Sequence, residues 1–181
     1  MTTAAFAVRP ANADDMDAVA AIYGEDVMMA TASFEIEPPS TDEMRARFGA
    51  ITGAGYPYFV AVTDGEVAGY AYASEYRSRP GYRYTVENSV YVKSGWRGYG
   101  AGRALLTRLI DACSAQGLRQ MIAVIGGADN AASIGLHAAL GFCEVGRLPA
   151  VGRKFDRWID SVLMQRALGD GAQTPPSEGV R

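Results

Sequence analysis

The chain has 181 residues, of which 49% are hydrophobic, and a formal net charge of −3. This length predicts one folded domain, which we assign to residues 1–168, because domains typically contain roughly 100–200 residues. The 17 basic residues form no long run, so neither a nucleic-acid partner nor an anionic membrane surface is indicated.

Targeting and metal-binding signals are not found in the sequence. The segment MTTAAFAVRPAN lacks the apolar core of a signal peptide, and no stretch has the roughly 20 apolar residues that cross a bilayer. We therefore expect a cytoplasmic protein. Cys113, Cys143 and the single histidine have no metal-ligand spacing, so we expect reduced, buried cysteines and no bound metal.

The first half of the chain predicts both strands and helices. Apolar residues at helical spacing indicate the first helix, and a capping box at Ser40–Glu43 opens the second. Asp64-Gly65 separates two strand-like runs and is a strong hairpin signal. The predicted elements are a strand at Phe6–Arg9, helices at Asn12–Asp26 and 41–52, and antiparallel strands at Tyr58–Val62 and Val67–Ala73.

The second half predicts strands that alternate with amphipathic helices. Polar and apolar residues alternate along Arg83–Lys93 as in a strand, and Gly117 has the position of a helix C-cap. The polar, Pro- and Gly-rich residues 169–181 predict a disordered tail. The predicted elements are a strand at Arg83–Lys93, a helix from Ala101, a strand at Met121–Ile125, a helix at Asn130–Leu140, and strands at Phe142–Arg147 and Arg157–Gln165.

Residues 94–103, SGWRGYGAGR, form a glycine-rich turn between a strand and a helix. Such a turn presents backbone N–H groups at a helix N-terminus, where the peptide dipoles favour an anion. A P-loop would need Lys and Ser or Thr after Gly102, and the dinucleotide fingerprint would need glycine in place of Arg103. Both nucleotide loops are therefore disfavoured, and an ordinary glycine turn remains the alternative to an anion site.

Two motifs in this order resemble those of the GCN5-related N-acetyltransferases (GNAT). The pattern R-x-x-G-x-G from Arg97 to Gly102 resembles their acetyl-CoA pyrophosphate loop, and NAASIGLHAALGF, Asn130–Phe142, resembles their second cofactor motif. Asn130, Ser133 and His137 share one helix face, which in this family meets the pantetheine arm and the thioester sulfur. Asn130 has a helix N-cap as its alternative role.

A narrower resemblance points to the phosphinothricin and methionine sulfoximine acetyltransferase branch. TVENSVYV at Thr85–Val92, SEYRSRPGYRYT before it and VGRKFDRWID at Val151–Asp160 resemble that branch, and the matches together span Val8 to Leu168. The resemblance implies an α/β GNAT fold, a mixed and mostly antiparallel sheet of about seven strands with about four helices. It also implies acetyl-CoA as co-substrate and a homodimer.

The resemblance assigns the chemistry to a few residues. Glu87 matches the general base of the branch, and the backbone N–H of Val92 matches the oxyanion donor. His137 stands where most family members have tyrosine, so it could protonate the leaving thiolate, hydrogen-bond the thioester or shape the pocket. The residues implied in acetyl-CoA binding are Val90, Tyr91, Val92, Arg97, Gly98, Tyr99, Gly100, Ala101, Gly102, Arg103, Asn130 and Ser133.

The implied acceptor is a small amino acid with an extra acidic or polar tetrahedral group, such as phosphinothricin, methionine sulfoximine or methionine sulfone. Arginines are suited to clamp such a group. The alternatives are a peptide or protein N-terminal amine as acceptor, or a non-catalytic acyl-CoA-binding domain. The residues implied in acceptor binding are Phe34, Tyr76, Arg77, Arg79, Arg83, Tyr84, Val86, Glu87 and Asn88.

Overall fold

The computed structural model describes residues 5–176, which contain seven β-strands and four α-helices. In chain order these are β1 (Ala7–Pro10), α1 (Met16–Met29), α2 (Thr41–Gly53), β2 (Tyr58–Thr63), β3 (Glu66–Glu75), β4 (Thr85–Val92), α3 (Ala101–Ala115), β5 (Gln120–Gly126), α4 (Ala131–Ala139), β6 (Cys143–Lys154) and β7 (Arg157–Ala167).

The strands form one sheet in the order β1-β2-β3-β4-β5-β7-β6. β4 and β5 pair in parallel, while β1–β2, β2–β3, β5–β7 and β6–β7 pair antiparallel. The parallel register joins Thr85–Glu87 to Gln120–Ile122. The predicted mixed, mostly antiparallel α/β fold is therefore confirmed.

Two compact units are distinguished within the described residues. The first contains the residues up to Ala30, Glu35–Ala73 and Ser89–Leu109, and the second contains Thr31–Phe34, Ser74–Asn88 and the residues from Ile110 onward. Strand β4 thus belongs to the second unit up to Asn88 and to the first from Ser89 onward.

The core of the first unit packs the apolar face of α1 against α2, β2 and β3. Tyr70 is fully buried, and its ring stacks on those of Tyr58 and Tyr91 at centroid distances of 5.9 and 5.2 Å. The buried members of this cluster are Met16, Val19, Ile22, Tyr23, Val27, Met44, Tyr58, Val60 and Tyr70.

In the second unit β5 is a buried strand that pairs with β7 along its whole length. Met121 and Ala123 of β5 are buried, as are Val162 and Met164 of β7. On the other face of β5, Ile122 is also buried but Val124 is 38% exposed. The continuous apolar run that predicted β5 thus reflects full burial of one face and partial burial of the other.

Strand β6 extends to Lys154, well beyond the predicted end at Arg147. Lys154 pairs with Arg157, so β6 and β7 are joined by the two-residue turn Phe155-Asp156. Both turn residues have positive φ, 50° and 57°, as in a type I′ turn. The hairpin was missed because Phe-Asp is not one of the Asn-Gly or Asp-Gly pairs that signal this turn.

Two other predictions concern cysteines and the tail. Cys113 is buried but Cys143 is exposed, so the prediction of burial was wrong for Cys143, which begins the exposed strand β6. Residues 169–172 form turns, and residues 173–176 follow them without regular structure. The Arg119 guanidinium donates to the Thr174 hydroxyl and to the Pro175 carbonyl. Of the predicted disordered tail, residues 177–181 lie outside the described residues.

Candidate functional site

The glycine-rich turn has the backbone conformation that its sequence suggests. Gly98 and Gly100 have φ of 81° and 102°, in the region that side chains with a Cβ rarely adopt. Helix α3 begins at Ala101, directly after Gly100. The first N–H groups of a helix have no partner within the helix, so those of Ala101, Gly102 and Arg103 form a donor set for an anion.

The side chain of Arg97 is engaged within the first unit. Its Nη2 lies 2.7 Å from Oδ1 of Asp26, and its Nε donates to the Val92 carbonyl at 3.0 Å. Through these two contacts Arg97 connects the start of the glycine turn to α1 and to the end of β4. Sequence reasoning missed Asp26, although an acidic residue three positions after Tyr23 on an apolar helix face signals a buried charge that needs a partner.

The end of β4 packs closely against β3. A Cβ added to Gly69 would lie 2.6 Å from the Tyr91 carbonyl oxygen and 3.2 Å from Cα of Val92, so only glycine permits this approach. The Tyr91 ring packs on those of Tyr23 and Tyr70. The Tyr91 side chain is thus part of the core, which leaves its backbone as the group available to a ligand.

Glu87 lies on β4 in the second unit and is partly buried. Its carboxylate makes no hydrogen bond or ion pair with any residue among those described. Burial raises the pKa of Glu87 above its ordinary value, because desolvation disfavours the charged form. A partly buried carboxylate that is not paired with a cationic side chain of the protein is suited to accept a proton from a substrate.

His137 contacts β4 on the face opposite Glu87. Its Nε2 lies 3.0 Å from Oδ1 of Asn88, and adjacent strand residues point to opposite faces of a sheet. Its Nδ1 lies 2.8 Å from the Ser133 carbonyl oxygen. Burial lowers the pKa of His137, and the Ser133 carbonyl opposes that shift. The structure therefore brings Asn88, Ser133 and His137 together but leaves Glu87 out of this cluster.

Asn130 is the N-cap of α4. Its Oδ1 accepts a hydrogen bond from the Ser133 N–H at 3.2 Å, and its Nδ2 donates to the Gly126 carbonyl at 3.4 Å. The alternative N-cap role is thus observed for Oδ1. The other end of the amide, Nδ2, is engaged by the Gly126 carbonyl. A role in binding the pantetheine arm stays a prediction.

The predicted acceptor-binding arginines are exposed, and none of them is paired with a carboxylate among the described residues. Arg77, Arg79 and Arg83 form no ion pair with any carboxylate in the part of the chain that the structure describes. The Arg77 guanidinium lies 5.1 Å from the Tyr76 ring centroid, and that of Arg83 lies 4.6 Å from the Tyr84 ring centroid. Arg77 and Arg83 therefore contact aromatic rings rather than carboxylates.

The loop Thr31–Phe34 is held by β5 and β6 of the same unit. A Cβ on Gly126 would lie 2.2 Å from the Thr31 carbonyl oxygen, and one on Gly152 would lie 2.0 Å from Cε1 of Phe34. The buried Lys154 donates to the Ser33 carbonyl at 2.8 Å. These contacts fix the loop that carries Phe34. Lys154 and Gly152 are positioning residues that the periodicity of the sequence did not reveal.

The described residues offer neither a metal-binding cluster nor a membrane-spanning helix. Across residues 5–176 no group of three or more His, Cys, Asp or Glu side chains has an arrangement that could hold a metal ion. Within the same range, none of the helices has the length and apolar character needed to cross a membrane.

Comparison with known proteins identifies close relatives. Residues 20–142 match the model of the acetyltransferase (GNAT) family. A phosphinothricin N-acetyltransferase of Alcaligenes faecalis is 52% identical over 93% of this chain and 86% of its own. An L-methionine sulfoximine/L-methionine sulfone acetyltransferase of Pseudomonas paraeruginosa is 43% identical over 93% of this chain and 98% of its own.

A solved structure has the same fold. The crystal structure of a GNAT superfamily phosphinothricin acetyltransferase from Sinorhizobium meliloti, in complex with acetyl-CoA, superimposes with a TM-score of 0.94. The two chains are 50% identical, and the match covers 96% of this chain and 94% of the other.

Proposed function

Because the chain belongs to the acetyltransferase (GNAT) family, we propose that it transfers the acetyl group of acetyl-CoA to the α-amine of a small amino-acid-like substrate. Relatives that acetylate phosphinothricin and methionine sulfoximine or sulfone support this substrate class. The observation that carries the proposal is Glu87, a shielded carboxylate with no described ionic partner and a raised pKa, placed five residues before Val92 on β4.

The residues of the glycine turn fit the pyrophosphate of acetyl-CoA. The positive φ of Gly98 and Gly100 turns the backbone into α3, and the N–H groups of Ala101, Gly102 and Arg103 supply donors for phosphate oxygens. A Cβ on Gly98 would meet no atom within 4 Å, so the space beside the turn is open. Val90, Tyr91, Val92 and Tyr99 complete the proposed acetyl-CoA residues, with Asn130 and Ser133 on α4.

The reaction then proceeds by general base catalysis. Glu87 accepts a proton from the substrate ammonium group, directly or through water, which frees the nitrogen lone pair. The nitrogen forms a bond to the thioester carbonyl carbon, and the Val92 N–H stabilises the oxyanion that develops. The carbon–sulfur bond breaks as the carbonyl re-forms, and the electron pair leaves with the sulfur as coenzyme A thiolate. The nitrogen gives up its second excess proton to water or to the departing thiolate, which leaves the neutral amide.

His137 has a proposed role at the leaving group. A thiol with a pKa of about 8.5 leaves as thiolate near neutral pH without obligatory protonation. Both ring nitrogens of His137 face oxygen atoms of the protein, which supports a positioning role for the ring. Direct proton donation to the thiolate remains the alternative, and it requires the ring to release one of these contacts.

The acceptor site is proposed to use Arg77, Arg79 and Arg83, with Tyr76 and Tyr84 nearby in sequence. Val86 and Asn88, which were also predicted there, are buried, and the Asn88 amide is engaged by Ile122 and His137. Guanidinium groups without a carboxylate partner are available for the carboxylate and the phosphinate or sulfoximine group of the substrate. Phe34, whose ring rests on Gly152, supplies an apolar wall over the substrate.

We also propose a cytoplasmic homodimer in which residues 1–168 act as one acetyltransferase domain. The β6–β7 hairpin supports the dimer, because it exposes large apolar side chains that a second copy of the chain could cover. These side chains are Leu148, Val151, Phe155 and Trp158, exposed by 44%, 56%, 52% and 67%.

A panel of amines tests the proposal. The purified protein is incubated with acetyl-CoA and one amine at a time, and released thiol is measured. We expect turnover with phosphinothricin or methionine sulfoximine and little with ordinary amino acids. Turnover only with peptides would indicate an N-terminal acetyltransferase, and acetyl-CoA binding without turnover of any amine would indicate a non-catalytic domain.

A further inference from the structure

The Asn88 side chain links a backbone carbonyl to the ring of His137. Its Nδ2 donates to the Ile122 carbonyl oxygen at 3.1 Å, and its Oδ1 lies 3.0 Å from Nε2 of His137. A backbone carbonyl can only accept a hydrogen bond, so the NH₂ end of the amide must face Ile122. The oxygen end, which is also only an acceptor, is therefore the end that faces the ring.

This orientation is held by the end of the β4–β5 pairing. Glu87 and Ile122 form the last parallel pair in the register, and Asn88 follows immediately on β4. Asn88 is 6% exposed and His137 is 3% exposed. Because both groups are buried, a mismatched contact between two acceptors would not be relieved by water.

The other ring nitrogen faces Ser133. Nδ1 lies 2.8 Å from the Ser133 carbonyl and 3.5 Å from its Oγ. Protons on both nitrogens satisfy the two close contacts. A neutral ring with Nε2–H donates to Asn88, and its Nδ1, although it faces the carbonyl oxygen, can accept from the Ser133 hydroxyl. A neutral ring with Nδ1–H donates to the Ser133 carbonyl but leaves two acceptors, Nε2 and Oδ1 of Asn88, facing each other without a donor among the described residues.

We propose that Asn88 is a positioning residue that keeps Nε2 of His137 protonated and holds the ring against β4. The groups that face the ring are Asn88 from β4, Ser133 from its own helix and the Phe142 ring, edge-on at 5.0 Å. No carboxylate or cation among the described residues forms an ion pair with the ring.

The catalytic meaning of this arrangement rests on the proposed function. A ring with Nε2–H has no lone pair on that nitrogen, so His137 is a hydrogen-bond donor there and not a base. The general base of the proposed acetyl transfer is then Glu87 alone, and Asn88 acts on the reaction only through His137.

His137 is the single histidine of the chain, so a nitrogen-15 spectrum of the histidine-labelled full-length protein, purified without a histidine tag, contains one imidazole. The spectrum is recorded at about pH 8, above the ordinary histidine pKa of about 6.5. We expect Nε2 to show the chemical shift of a protonated nitrogen. A lone-pair shift at Nε2 would overturn the proposal, and this measurement requires no variant.

Substitution of Asn88 tests the cause. In Asn88→Ala the Ser133 carbonyl is the remaining close acceptor, so we expect the proton of the neutral ring to move to Nδ1. Ser133→Ala keeps Asn88 and the carbonyl but removes the hydroxyl that can donate to Nδ1, so it should also move the proton of the neutral ring toward Nδ1. An Asn88→Ala protein that is folded and still has the wild-type Nε2 shift would contradict the proposal.

Kinetics separate this inference from the proposed function. Asn88→Ala should lower kcat about tenfold or more while the KM for acetyl-CoA changes less than threefold, since Asn88 acts through His137 and not on the cofactor. A wild-type protein without acetyl transfer to any amine would refute the proposed function but would leave the Nε2 measurement to decide the proton position.

Discussion

Arg97 forms an ion pair with Asp26, with 2.7 Å between Nη2 and Oδ1, although the two residues are 71 positions apart in the chain. The Asp26 side chain is only 9% exposed, whereas that of Arg97 is 53% exposed. Nε of Arg97 also donates to the Val92 carbonyl. One guanidinium therefore joins helix α1, the end of β4 and the start of the glycine turn, and the anion is left to the backbone N–H groups.

We expect Asp26→Asn to weaken acetyl-CoA binding, because it removes the ion pair that holds Arg97 and the start of the glycine turn against α1. Loss of a hydrogen bond to a charged group costs about 1.5–3 kcal/mol, and we expect part of this free energy to appear as a three- to tenfold rise in the KM for acetyl-CoA. Titration calorimetry with coenzyme A measures the same effect without turnover.

The control for this substitution lies on the same helix. Asp17 pairs with Arg45 at 2.9 Å, with side chains exposed by 72% and 44%, and exposed pairs contribute little. Asp17→Asn should therefore leave the KM unchanged. Equal effects of the two substitutions would show that the Arg97 pair has no special role.

Glu87→Gln should lower kcat by about two orders of magnitude or more, the range of general-base contributions. The amide keeps the size of the side chain but cannot accept the ammonium proton, so the Kd for coenzyme A should not change. The matched variant is Glu25→Gln, an exposed glutamate of α1, which should retain wild-type turnover. Unchanged kcat in Glu87→Gln would remove Glu87 from the mechanism.

The raised pKa of Glu87 predicts two pH effects. The base must be ionised, so kcat/KM should fall on acidification around a midpoint above the ordinary glutamate value of about 4.3. Between the unfolded and folded pKa values the folded state binds more protons, so stability decreases as pH rises through that window. Near pH 7 Glu87→Gln should therefore unfold at the same or a higher temperature, and a clearly lower Tm would contradict this.

Gly98→Ala should distort the glycine turn through the backbone alone. The φ of Gly98 is 81°, and no atom lies within 4 Å of an added Cβ. A left-handed conformation costs a residue with a Cβ roughly 1–2 kcal/mol, which should raise the KM for acetyl-CoA. Gly95→Ala is the control, because Gly95 also has open space but no positive φ. An unchanged KM for acetyl-CoA in Gly98→Ala would show that the conformation of this turn does not contribute to acetyl-CoA binding.

Gly152→Ala should displace Phe34, since the new Cβ would lie 2.0 Å from Cε1 and 2.4 Å from Cδ1 of that ring. We expect a raised KM for the amine with little change in the KM for acetyl-CoA. Gly146→Ala on the same strand meets no atom within 4 Å and should behave as wild type. A change confined to the acetyl-CoA KM would place Phe34 outside the acceptor site.

Local patterns predicted most of the secondary structure. Helical apolar spacing predicted α1 and α3, and the Asp-Gly pair predicted the β2–β3 hairpin, because these signals are contained within a few consecutive residues. The β6–β7 hairpin was underestimated because Phe155-Asp156 adopts positive φ without glycine or asparagine. The neighbouring strand pairing stabilises that turn, and such pairing is not visible in a short window.

The order of the elements, the glycine turn at the start of α3 and the family resemblance that singled out Glu87 and His137 could all be read from the residues along the chain. The pairing of distant side chains could not: Arg97 meets Asp26, His137 meets Asn88 and Lys154 meets Ser33, at separations of 71, 49 and 121 residues. Periodicity and turn signals report on neighbours along the chain. Partners brought together by strand order and packing leave no local signal, except where a polar residue interrupts an apolar face, as Asp26 does in α1.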